Sequence, residues 1–135
     1  MDEAILQGNS LLIESTLAGK AFLTKLKEYR CQHQYYITVV YIFLTSPEMC
    51  RKRIETRIRK GGHDVPFVEI QRRFGRSIHN FWHYYRQEAD QWQLIYNGEG
   101  IFQEVARQQN SDFYMLDDTL FVTFEEIRNN YGQEK

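Results

Sequence analysis

Two prolines and two cysteines in 135 residues leave little scope for rigid linkers or covalent staples. Pro47 and Pro66 stand apart, and no Gly/Ser-rich stretch or internal repeat divides the chain, so a single domain over residues 1–135 is expected. Cys31 and Cys50 have neither metal-ligand spacing nor the numbers of a disulfide framework, which points to buried or half-buried free thiols in a reducing compartment. Long hydrophobic runs are also missing. The longest, Tyr35 to Leu44, is too short to span a bilayer, and MDEAILQGNS has no basic segment leading into an apolar one. No membrane span or signal peptide is therefore expected, and a cytoplasmic location is the expectation. Net charge is scarce as well, at −1 with a pI near 6.4, which is low for a nucleic-acid binder.

What the chain does hold is apolar and aromatic: 42% hydrophobic and 15% aromatic residues exclude a disordered composition and can fill a core. Its positive charge is concentrated. Between Arg51 and Asn80, nine Lys and Arg residues face three carboxylates, although the whole chain is slightly acidic. Clustered arginine suits a phosphate or carboxylate partner; a solvated face paired with Glu55 and Glu69 is the plainer alternative.

In chain order, residues 2 to 8 read as the tail of a short helix. Leu11 to Leu17 (LLIESTL) reads as a strand buried on both faces, with Glu14 either near the ligand end of an α/β sheet or facing solvent from an edge. Ala18 to Cys31 has an amphipathic helical pattern. Gln34 to Thr45 is the strongest strand signal, and Ser46-Pro47-Glu48 is a helix start with Ser as the cap. A basic helix follows, then the breaker Gly61-Gly62-His63-Asp64-Val65-Pro66. A second helix from Pro66 carries Ile70, Phe74, Ile78, Phe81, Trp82 and Tyr85 on one face and Arg72, Arg73, Arg76 and Asn80 on another. Gly75 inside it is expected to weaken it slightly. Strands are expected over 91–96, over 101–108 as a hairpin partner (or a short helix) and over 112–116, with Asp117-Asp118-Thr119 capping a last helix. Strands alternating with helices predict an α/β fold with a mostly parallel sheet.

Three stretches resemble the zeta-toxin-like family of P-loop kinases, in particular its stand-alone bacterial branch of predicted ATPases. They are Leu11-Leu12-Ile13-Glu14-Ser15-Thr16-Leu17, Ser46-Pro47-Glu48 with the Arg-rich helix after it, and Arg57 to Pro66 with Ile70, Arg72-Arg73-Phe74 and Asn80-Phe81 downstream. The resemblance spans roughly residues 5 to 120. It implies a P-loop NTPase/kinase-like three-layer fold and transfer of the γ-phosphoryl group of Mg·ATP to a small hydroxyl acceptor, such as a sugar nucleotide of the UDP-N-acetylglucosamine type. By position, Glu14 and Thr16 match the acceptor-lining motif. Arg59, Arg73 and Arg76 match lid arginines that neutralise the transferring phosphate, and Arg57, Arg72 and His63 match phosphate contacts in a lid over about 57–80.

The family's G-x-x-x-x-G-K-[ST] loop has no counterpart here, and Gly19-Lys20 lacks both the first glycine and the following Ser/Thr. The chain is thus expected to start after the ATP site and to be inactive alone, with ATP and Mg implied by resemblance only. In this kinase fold the P-loop strand lies between the strands that would here be 11–16 and 36–44. Without it those strands close on each other, or another chain fills the gap, or an apolar edge is left open. A complementing N-terminal chain, an antitoxin or self-association are the partners this implies. A non-catalytic module binding nucleic acid or protein is the alternative. For nucleic acid, Phe74, His79, Phe81, Trp82, His83, Tyr84 and Tyr85 near the arginines could stack on bases, but core packing explains most of them and the pI argues against it. His79 and His83 lie four apart on a helix, yet no third metal ligand is evident, so no metal site is expected.

Overall fold

The computed structural model describes residues 10–61, 65–98 and 100–132. The expected helix over 2 to 8 and His63 lie outside them. The elements are α1 (Ala21–His33), β1 (Thr38–Phe43), α2 (Pro47–Arg59), α3 (Phe67–Asn80), β2 (Gln91–Gly98), β3 (Ile101–Gln109), β4 (Asp112–Met115) and α4 (Asp118–Tyr131). Between α3 and β2 the helix runs on through a π segment, Phe81–Tyr85, and a last α turn, Arg86–Glu88.

The architecture is mixed α/β, but the sheet is not mostly parallel as expected. Its order is β1-β2-β3-β4, with β1 and β2 parallel and the other two pairings antiparallel. The reason is local. Gly100 takes φ 76° at the β2–β3 turn, and Asn110 and Ser111 take φ 51° and 73° between β3 and β4. Two successive positive φ values make a tight hairpin, which joins neighbours antiparallel, whereas parallel strands need a long crossover. Only the β1–α2–α3–β2 stretch provides one.

A bulge in β3 sets the entry to α4. The pairing shifts between Leu94 and Ile95, opposite Ala106 and Glu104, so Val105 is the extra residue. Val105 and Ala106 are both buried, and the Val105 carbonyl accepts from the N–H groups of Leu116 and Asp117 at 2.9 and 3.0 Å. The two foreseen caps form: Ser46 Oγ accepts from Met49 N at 3.3 Å and Asp117 Oδ1 from Leu120 N at 3.0 Å.

The core lies where α3, its π extension and α4 meet the sheet. Tyr41, Phe43, Trp92, Leu94 and Tyr96 from the strands pack against Phe74, Ile78, Phe81, Phe124 and Ile127. A second cluster joins α1 to the start of β1 through Leu26, Tyr29, Ile37 and Tyr85. On the opposite face of β1, Val40 and Ile42 are each 49% exposed. Among the described residues, no helix is long and apolar enough to cross a membrane.

Gly75 is more than the slight weakness expected of it. It is buried where α3 crosses the end of α4, and a Cβ there would overlap the Tyr131 carbonyl oxygen. Phe74 stacks edge-on against the Tyr131 ring at 5.3 Å, and His79 Nδ1–H donates to the Gly132 carbonyl at 2.9 Å, so both chains are held at this approach. Gly75→Ala should therefore destabilise by about 1–3 kcal/mol despite its higher helix propensity. A denaturation midpoint equal to or above wild type would show that the helices can part at no cost.

The stretch 11–17 is not a strand. It runs irregularly, with Leu12 94% exposed and Leu17 in the left-handed region at φ 58°. An apolar run becomes a strand only where a neighbour pairs its backbone. None of the described strands lies against this one.

Candidate functional site

Residues 11–17 and β1 line a groove of about 910 Å³, to which α1, α2 and α3 also contribute side chains. β1 pairs with β2 on one side and with no described strand on the other.

One wall is held by polar side chains of the long helix. Ser77 Oγ donates to the Thr16 carbonyl at 2.5 Å, Asn80 Nδ2 to the Leu17 carbonyl at 2.8 Å and Tyr85 OH to the Gly19 carbonyl at 2.8 Å. Because Ser77 spends its proton on Thr16, Tyr41 OH is the donor in the 2.7 Å bond between Tyr41 and Ser77. This relay ties β1, α3 and the wall together. The π segment makes the third tie. In a regular α-helix Tyr85 would stand about 140° around the axis from Asn80. The wider π turn rotates each residue less and brings it to the same side. Burial pushes the Tyr41 hydroxyl far above the usual phenol range, against the smaller opposing effect of its bond to Ser77, so it stays protonated.

Of the eight predicted site residues, the groove gathers four: Glu14, Thr16, Arg57 and Arg73. Glu14 and Thr16 are exposed on the wall, and Thr16 Oγ1 accepts from Ala18 N at 3.4 Å. The Arg57 side chain has no ion pair or hydrogen bond among the described residues. Arg73 donates through Nε to Glu69 Oε1 at 2.9 Å. Glu69 also takes a hydrogen bond from Arg72, and the Arg73 and Arg72 guanidiniums together hold its carboxyl below the usual range.

Arg59, Arg72 and Arg76 are exposed and do not line the groove. Arg72 faces Glu69, which also holds Arg73, and Arg59 and Arg76 are exposed. Asn80, expected on the basic face, is buried at 4% exposure and holds the wall instead. Other basic residues are structural. Arg53 donates to the Asn97 carbonyl at 2.6 Å, and Arg51 pairs with Glu55 and lies over the Phe67 ring at 4.9 Å.

Ser77, Asn80, Tyr85 and Tyr41 were not among the predicted site residues. Ser77 and Asn80, three apart on an otherwise apolar helix face, were the available signal. Cys50 also lines the groove as a half-buried thiol whose pKa burial pushes up; Cys31, expected buried or half-buried, is exposed. The two guanidiniums suit a polyphosphate. Among the described residues, no group of three His, Cys, Asp or Glu side chains could hold a metal ion. Comparison with family models, curated proteins and solved structures finds no match to this chain.

Proposed function

We propose that this chain supplies the acceptor wall and the arginine lid of a zeta-toxin-like, ATP-dependent small-molecule kinase with a P-loop kinase-like arrangement. The observation that carries this reading is the meeting of Glu14 and Thr16 with Arg57 and Arg73 on one groove. Phosphoryl transfer asks for positioning and charge neutralisation more than for covalent help. Glu14 can accept a hydrogen bond from an acceptor hydroxyl, with Thr16 beside it. Arg57, whose side chain has no partner among the described residues, and Arg73, which is engaged through Nε, can face phosphate. Arg59, Arg72 and Arg76 remain lid residues in this reading, with no contact inside the groove. The sequence contains no G-x-x-x-x-G-K-[ST] loop, so acceptor binding but no ATP turnover is expected of this chain by itself.

Calorimetric titration with UDP-N-acetylglucosamine, then with Mg·ATP, tests this. Sugar-nucleotide binding should weaken about tenfold or more in Glu14→Ala, since losing a hydrogen bond to a charged group costs roughly 1.5–3 kcal/mol. Arg73→Ala should weaken binding of the diphosphate part. Binding of neither nucleotide, or binding indifferent to both substitutions, would sink the reading. Non-catalytic partner binding is the second reading, and the open edge of β1 favours it.

A further inference from the structure

We infer that a second, smaller cavity, where the long helix ends and β2 begins, binds a compact free oxyanion of the phosphate or carboxylate kind through the Arg86 guanidinium and the Gln108 amide. The site is independent of the phosphotransfer reading, since its lining shares no residue with the groove.

The cavity measures about 240 Å³ and is lined by Arg86, Gln87, Ala89, Asp90, Trp92 and Gln108. Room for roughly eight waters suits a small ion with at most a short stem, and not a nucleotide. Local rules bring these groups together. Arg86 follows Trp82 by four residues, so its guanidinium lies over that indole, 3.9 Å from the ring centre, and its Nε donates to the Trp82 carbonyl at 3.0 Å. Trp92 and Gln108 are opposite each other on β2 and β3, and the Trp92 Nε1–H donates to Gln108 Oε1 at 3.2 Å.

The polar groups left over are mainly donors. An indole nitrogen can only donate, so the atom it meets on Gln108 is the oxygen, and the amide nitrogen is the end to spare. Gln87, which is exposed, can offer either kind. Among the described residues, the two terminal nitrogens of Arg86 have no hydrogen bond and no carboxylate pairs with them. The nearby acids are committed elsewhere. Asp90 accepts from Ile37 N at 2.8 Å and faces Arg30 at 3.3 Å, Glu88 faces Lys27 at 3.9 Å, and Glu125 holds Arg128 at 2.6 Å. Arg86 is thus a half-buried charge without a counter-charge. Burial, and then the Arg128 guanidinium over the same Trp82 ring at 5.1 Å, pull its pKa below the usual range, against a smaller opposing effect of Glu125. An oxyanion on the free end of the fork supplies the missing charge, and it finds the guanidinium already oriented by the stack and the Nε bond.

The test follows the indole N–H signals of the two tryptophans in the full chain by proton–nitrogen correlation NMR, while inorganic phosphate or succinate is added at an ionic strength held with sodium chloride. The Trp92 signal should shift and saturate, with a Kd on the order of 1 mM for two charge-assisted bonds. A shift with either anion supports the site, and the tighter of the two names the class of its ligand. Arg86→Lys keeps the charge but loses the fork, and should weaken binding about tenfold or more. Arg73→Ala should leave the shift unchanged, which separates this site from the groove. Gln108→Glu can still accept from the Trp92 indole and places a carboxylate beside Arg86. It should abolish the shift and raise the urea midpoint without added oxyanion, a result that a misfolded variant cannot give. No saturable shift with either anion, a shift that sodium chloride alone reproduces, a shift kept in Arg86→Lys or Gln108→Glu, or a lowered midpoint in Gln108→Glu would overturn the inference. A shift lost in Arg73→Ala would assign the anion to the groove and overturn it too. None of these readouts involves a sugar nucleotide, so failure here leaves the kinase reading standing.

Discussion

Phe81→Ala is expected to cost about 3–5 kcal/mol of stability. Phe81 is fully buried at the first position of the π segment, where strand, helix and α4 converge. Its ring stacks on Tyr41 with centroids 4.4 Å apart and planes within 5°, and it meets Trp92 at 6.1 Å and Phe124 at 6.5 Å edge-on. Truncation removes the apolar transfer energy and leaves a cavity among rings that are pinned from several elements and cannot collapse. A domain of this size holds only about 5–15 kcal/mol in total, so roughly a fifth or more of it is at stake. At a urea slope of about 2 kcal/mol/M, the midpoint should fall by roughly 2 M. Phe113→Ala, on the 48% exposed Phe113 of β4, should shift it by far less. A loss below about 1.5 kcal/mol for Phe81→Ala would mean that the core lies elsewhere.

Asn80→Asp is nearly isosteric and should be almost as damaging at neutral pH, with a signature that packing loss lacks. Asn80 Nδ2 donates to the Leu17 carbonyl at 2.8 Å from a site 4% exposed. An ionised carboxylate there sets oxygen against oxygen and leaves a buried charge unpaired, which costs about 3 kcal/mol or more. The protonated acid can donate to the same carbonyl and restore the bond. The folded-state pKa of the new carboxyl is therefore raised above the unfolded value of about 3.9, and folding takes up a proton. For a group raised in this way, stability is present below the unfolded pKa and is lost as pH rises through the folded one. The gap between variant and wild type should be small near pH 4 and large at pH 7, read from urea midpoints at both. An equal gap at both pH values would refute a carboxylate facing the Leu17 carbonyl. Because the wall at residues 16–19 is released, sugar-nucleotide binding should weaken together with stability.

Much of the local structure was legible because its causes are local. Ser46 and Pro47 start α2, and Asp117 starts α4, through bonds within one turn. The β-branched run gives β1, though only over Thr38–Phe43 and not Gln34 to Thr45. The apolar face of α3 and its π extension is buried at Ile70, Phe74, Ile78, Phe81 and Tyr85 as its spacing predicts. The breaker residues around 97–100 turn the chain into a hairpin.

Strand direction was not legible, since alternation of element types does not reveal which strands are joined by a tight turn. Nor was the π segment, because FWHYY suits an α-helix equally well. The stretch 11–17 was misread because its composition favours a strand while its conformation depends on whether another strand lies beside it.

For the candidate site, the sequence by itself determined the inventory: a carboxylate and a hydroxyl at Glu14 and Thr16, a cluster of guanidiniums from 51 to 76, and the apolar strand that forms one wall. Only the tertiary structure decided that Arg57 and Arg73, and not Arg59, Arg72 or Arg76, reach the groove, and that Ser77, Asn80 and Tyr85 hold its far wall. The physical reason is that residue type and spacing fix which groups share a helix face. Which face meets which strand is set by long-range packing, here by one buried aromatic cluster and three side-chain bonds to backbone carbonyls more than sixty residues away.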